Sequence, residues 1–169
     1  MLRTYSFLAT MTLLAVVNNG CGTSTATPPT ASLSRGQQYL LPTEPVDAVG
    51  VLQAKENAKD GEQLLLVGRI GGGQKPWIDG RAAFLLVDDG VAPTCSEEHC
   101  EEGCAECALA LAEATTLVKF VDENSKVLPT DARELLGVEN FQTVVVRGVA
   151  ARDKAGNLSV IADGIYIRR

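Results

Sequence analysis

Four cysteines fall within thirteen residues as Cys95-x4-Cys100-x3-Cys104-x2-Cys107, and His99, the only histidine of the chain, lies among them. Thiols this dense can form structural disulfides, hold a metal ion or act as a redox pair. From Ser96 onward the composition favours a helix, which would put Cys100, Cys104, Cys107 and Leu111 on one face. On an unbroken helix Cys100 and Cys107 would stand about 10 Å apart at 1.5 Å rise per residue. One zinc ion with sulfur bonds of about 2.3 Å does not easily hold both. Either Gly103 breaks the helix or the thiols act as pairs. Disulfides need Cα atoms about 4.4–6.8 Å apart, within reach of Cys104/Cys107 and of a Cys95/Cys100 closure, and three connectivities stay open. As metal ligands, the thiolates with His99 would select zinc or cuprous copper. Glu97, Glu98, Glu101, Glu102 and Glu106 disfavour the thiolate by like charge, which works against a redox Cys104-Ala-Glu-Cys107 pair. Ala108 stands where a haem-attachment motif needs histidine.

The N-terminus sets the compartment in which that chemistry is weighed. Arg3 followed by the apolar run Phe7–Val17 reads as a secretory signal over residues 1–20, with an apolar stretch too short to span a bilayer. Asn18-Asn19-Gly20-Cys21 resembles the bacterial lipoprotein signal, in which the cysteine is acylated and becomes the new N-terminus. Gly20 fits that pattern, and Asn18 departs from the aliphatic residue usual there. Five cysteines are an odd number for an exported protein, and assigning Cys21 to a lipid leaves an even four. Gly22–Gln38 is small, polar and without period, so residues 21–42 are expected to be a flexible tether that leaves the domain at a membrane surface. In an oxidising compartment disulfide staples rank first for the cysteine cluster, metal ligation second and thiol–disulfide work third.

Charge and composition exclude several classes. The chain carries 15 basic and 21 acidic residues, net −6, and loss of Arg3 with the signal takes it to −7. That sign opposes general nucleic-acid binding, and aromatic platforms are sparse, with Phe84, Phe120, Phe141 and Tyr166 mostly at core positions. With one histidine inside the cysteine cluster and no G-x-S-x-G elbow, no hydrolase constellation is expected. Gly71-Gly72-Gly73 is no phosphate cradle, because no Lys-Ser/Thr and no helix follow.

The elements that would position these groups are short. Val46–Lys59 is expected to be helical, capped by Thr43 or Asp47, with Val46, Val49 and Leu52 on one face and Asp60-Gly61 as the stop. Five strands follow: Gln63–Ile70, with Gly68 marking a bend or bulge; Ala82–Asp88; Thr115–Asp122, with Thr116, Val118 and Phe120 facing one way and Lys119 the other; Phe141–Ala150; and Leu158–Ile167. The last switches parity after Ala162, which predicts a one-residue bulge near Asp163-Gly164. Asp131-Ala132-Arg133-Glu134 opens a short helix that Gly137 ends, and Asp153–Asn157 is a tight turn. The long first loop either presents Trp77 to a ligand or folds back so that the indole closes a barrel end. We expect the second, and take Trp77, Asp79 and Arg81 as the positions where a loop-bound ligand would be met.

Together these predict a mainly β domain over residues 43–169: a five-stranded OB-type barrel with an N-terminal helix, a short helix between strands three and four, and a small Cys-rich helical insert at 93–114. Ala58–Ile70, Phe84–Asp88 and Val144–Ile167 resemble the exported bacterial OB-fold (BOF-like) family, in which a helix precedes Asp-Gly, a strand with a central glycine, a Phe-x-x-x-Asp strand and a closing hairpin. The resemblance implies a periplasmic or lipoprotein barrel tied to envelope stress and to small cationic ligands. The long first loop and the cysteine insert depart from it. The expected function is an exported, lipid-anchored binding or structural module and not an enzyme, with membrane contact through the lipid and a small ligand or envelope protein as partner. A metal-binding protein using Cys95, His99, Cys100, Cys104 and Cys107 is the alternative, and an envelope thiol–disulfide protein the second.

Overall fold

The structure, a computed structural model, describes residues 35–72, 75–91 and 105–168, with residues 105–107 described in backbone only. The expected signal segment, Cys21, the tether up to residue 34, Cys95, His99, Cys100 and Cys104 lie outside the described residues. Six strands form one sheet: β1 (Val49–Gly50), β2 (Gln63–Ile70), β3 (Ala83–Val87), β4 (Thr115–Phe120), β5 (Thr143–Arg152) and β6 (Leu158–Ile167). They lie in the order β1-β2-β3-β4-β6-β5, and β2 also pairs with β5. Five long strands therefore close into a barrel, with β1 a short parallel addition on β2. Within the barrel only β4 and β6 run parallel; the other neighbours are antiparallel. This is an OB-like barrel.

Alternation explains the core. Phe84 and Leu86 of β3, Val118 and Phe120 of β4, Val144 and Val146 of β5, and Val160 of β6 are fully buried. Helix α1 (Val51–Asn57) buries Val51 and Ala54. Helix α2 (Ala105–Glu113) runs into β4, and helix α3 (Ala132–Leu136) buries Ala132, Leu135 and Leu136 in the same core. Asp131 caps α3 by accepting from the Arg133 N–H, and Gly137 ends it in the left-handed conformation, both as expected.

Other expectations need correction. The first helix starts at Val51, not Val46, and neither Thr43 nor Asp47 caps it. Val49 and Gly50 pair with Leu66 and Val67, Asp47 has φ +63°, and Val46 is 78% exposed. The cap is supplied from 36 residues away: the Leu52 N–H donates to Asp88 Oδ2 at 2.9 Å. A side chain at Gly50 would collide with that carboxylate, its Cβ falling 2.6 Å from Oδ2. Gly68 makes no bulge on the β5 side, where the register is unbroken from Gln63 to Arg69. Instead the end of β3 packs over it, and a Cβ there would lie 2.6 Å from the Val87 carbonyl oxygen. The fourth strand begins at Thr143, and Phe141, outside it with φ +65°, is 73% exposed and no core residue. The end of the expected tether is docked: Tyr39 sits edge-on to Phe120 at 5.1 Å, and the Leu41 N–H donates to the Ile165 carbonyl at 2.8 Å.

The bulge in the last strand lies at the expected place. Arg147 faces Gly164 and Gly148 faces Ala162, leaving Asp163 as the extra residue. Gly148 must be bare there, since a Cβ would come 2.3 Å from the Ile161 carbonyl oxygen. Gly61, by contrast, has open space around its missing side chain and φ +80°. We therefore expect Gly148→Ala to cost about 3 kcal/mol or more through overpacking against backbone, and Gly61→Ala only about 1 kcal/mol through backbone conformation alone. Urea unfolding midpoints check this, and a Gly61 variant as damaging as the Gly148 variant would contradict the crowding at the bulge.

Candidate functional site

The loop after β2 folds back on the barrel. The Leu85 N–H donates to the Pro76 carbonyl, Trp77 bridges Phe84, and Ile78–Arg81 forms a tight tip with the Arg81 N–H on the Ile78 carbonyl. Gly80 makes that tip possible at φ +66°. The Trp77 ring lies tilted against Phe84 at 6.0 Å, and its Nε1 donates to Asn140 Oδ1 at 2.5 Å. The Arg133 guanidinium stands 5.4 Å from the ring centroid. Arg133 in turn grips Asp131 with two bonds, Nε to Oδ1 at 2.8 Å and Nη2 to Oδ2 at 2.7 Å. Those bonds hold the Asp131 carboxyl below its usual pKa and raise that of Arg133, to which Asp79 and Glu134 add negative potential. Trp77 and Asp79 therefore belong to a network joining the loop to α3. Trp77 also lines a cleft of about 460 Å³ with Arg133 and Asn140, whereas Arg81 turns to a cavity on the outer sheet face.

That cavity follows from register. Ala83 pairs with Lys119 and Leu85 with Leu117, so the side chains opposite to the buried Phe84, Val118 and Phe120 line the outer face of β3 and β4. The small side chain of Ala83 leaves a groove of about 480 Å³ floored by Ile78, Ala83, Leu117 and Val127. Its rim holds Arg81, Lys119 and Lys126, from three separate segments. Lys126 is set by a turn in which Asp122 Oδ1 accepts the Asn124 and Lys126 N–H groups at 2.8 and 2.9 Å. Ion pairs among the described residues join Arg133 to Asp131, Arg147 to Asp163 and Arg168 to Glu44, so the three rim cations hold none. Sequence reasoning missed Lys119 and Lys126. The usable signal was Lys119, the one charged position of the strand Thr115–Phe120, facing away from the core residues Val118 and Phe120.

Two other grooves lie on the barrel. Beyond Leu117, the same sheet meets α2 across a groove of about 530 Å³ touched by Leu85, Leu111 and Lys55. Lys55 Nζ donates to the Ala112 and Thr115 carbonyls, both at 3.1 Å, and Thr115 Oγ1 to the Leu111 carbonyl at 2.6 Å. A cation at the carboxyl end of α2 suits the helix dipole. Burial lowers the pKa of this ammonium, and Glu113 beside it pulls it back up. The helix expected from Ser96 is thus described from Ala105, with its C-terminus fastened to α1. Among the described residues no three His, Cys, Asp or Glu side chains gather to hold a metal, and the cysteine cluster falls outside that set. A further groove of about 520 Å³ lies between α1 and β2, but its cation, Arg147, is paired with Asp163, and Glu62 there accepts the Lys59 N–H.

No protein-family model matches the chain, and no curated protein matches it. The fold assignment accordingly stands on strand order and register, and the site on its own geometry.

The Asp131–Arg133 contact carries a pH signature. A carboxyl whose folded pKa lies below its unfolded value near 3.8 adds stability above that value and loses it as pH falls through the folded pKa. Asp131→Asn keeps a capping acceptor but removes the charge. We expect its deficit against the wild type at neutral pH to shrink below about pH 4. Unfolding midpoints measured across that range check this; a deficit independent of pH would contradict it.

Proposed function

We propose that the chain is a binding module of the bacterial envelope: exported, held at a membrane face by an acylated Cys21, and meeting its ligand on the outer face of β3 and β4. The observation that carries this reading is the cation-rimmed groove on that face of the barrel. In OB barrels the corresponding face, between the first and last hairpin loops, serves for binding oligomeric ligands. Support for export comes from Arg3, the apolar run Phe7–Val17 and Gly20-Cys21, and from the even cysteine count left once Cys21 is acylated. The groove offers guanidinium and ammonium donors over an apolar floor, with no nucleophile beside a base, which suits holding a ligand more than transforming it. In this reading Cys95, Cys100, Cys104 and Cys107 are paired as disulfides that staple the insert.

Mass analysis, thiol titration and metal analysis of the protein recovered from the envelope test the reading together. It predicts a chain beginning at Cys21 with added acyl mass, the other four cysteines unreactive until reduced, and no bound metal. An uncleaved chain in the cytosol would overturn export. Stoichiometric zinc or copper would move the cluster to a metal-binding role with His99, and a readily reversible dithiol would move it to thiol–disulfide exchange.

A further inference from the structure

We infer that the groove on the outer β3–β4 face takes a small anionic amphiphile: a carboxylate, phosphate or sulfate head held by Arg81, Lys119 and Lys126, with a short apolar body on the floor formed by Ala83 and Leu117. This rests on the reading of that face as the ligand surface and adds the chemical class. The chain is net −6, so cations have many potential partners, yet these three converge from the loop tip, β4 and the Asp122–Lys126 turn without an ion pair among the described residues. Of the acids nearest in sequence, Asp79, Asp122 and Glu123, none forms an ion pair with a rim cation among the described residues. Asp122 accepts two backbone N–H groups of its own turn, and Asp79 acts on Arg133. Like charges gathered without a partner repel one another, and an anion relieves that repulsion. A purely hydrophilic anion would leave the apolar floor uncovered, and a cationic ligand would be repelled by the rim. The volume of about 480 Å³ matches a small molecule.

Octyl sulfate and octyl glucoside, which share a tail and differ in head-group charge, test the proposal by calorimetric titration of the full chain below their micelle concentrations. We expect octyl sulfate to bind at one site, at least about tenfold more tightly than octyl glucoside or inorganic sulfate, and to weaken as salt rises. Lys119→Gln with Lys126→Gln should lose at least about tenfold in octyl sulfate affinity with the unfolding midpoint kept. Equal binding of both octyl ligands, unchanged in the double variant, would overturn the anionic class while keeping the face as an apolar binding surface. Binding of inorganic sulfate as tight as that of octyl sulfate would overturn the amphiphile. Failure of every probe to bind would overturn the ligand face itself. If the double variant unfolds, the salt series and the octyl glucoside comparison on the wild type still decide.

Discussion

Seven residue pairs, from Gln63 opposite Val149 to Arg69 opposite Thr143, join the first long strand to the fourth and turn an open sheet into a barrel. An open sheet of these lengths would expose rows of unpaired backbone groups along β2 and β5, and closure removes both edges at once. Closure also dictates side-chain size. A strand that must curve around a narrow core brings backbone against backbone, so Gly68 lies under the end of β3 and Gly148 under the β6 bulge. The bulge lets β6 keep both of its apolar sets inside, Val160 and Ala162 before it and Ile165 after it.

Once the barrel is closed, what lies outside follows. The outward residues of β3 and β4 form a surface bounded by the Ile78–Arg81 tip on one side and by α2 on the other. Both boundaries are fixed from within. Trp77, Asn140, Arg133 and Asp131 hold the loop to α3, and Lys55 holds the end of α2 to α1. Asp88, the residue after β3, ties the second of these together: it caps α1, accepts the Gly90 N–H and donates its own N–H to the Ala114 carbonyl at the end of α2. The groove is thus a consequence of packing beneath it, with a rim of cations that form no ion pair among the described residues.

Local patterns carried much of this. A continuous apolar run marked Gln63–Ile70 and apolar positions at strand spacing marked Leu158–Ile167 to the residue, the parity switch marked the bulge, and Asp131 with Gly137 marked α3. What could not be read was non-local. The start of α1 depends on an acid 36 residues away, so Thr43 and Asp47 were the wrong places to look. Tyr39 and Leu41 dock on Phe120 and Ile165 just after the polar stretch Gly22–Gln38, whose composition suggested a free tether. Phe141 follows the apolar pattern of its strand but falls in the turn before it, where φ is positive and the ring is exposed. Only Arg81 of the expected loop site reached the groove, because Lys119 and Lys126 become its neighbours only when β3 pairs with β4 in the observed register.

The outer-face groove exists only if the topology is closed, and nuclear Overhauser contacts in the isotope-labelled full chain measure that closure directly. The closing seam predicts contacts between Leu66 and Val146, and the parallel seam predicts contacts between Val118 and Val160. Observing both establishes the OB-like order on which the outer-face groove depends. Finding β2 without contacts to β5, or β4 without contacts to β6, would contradict it.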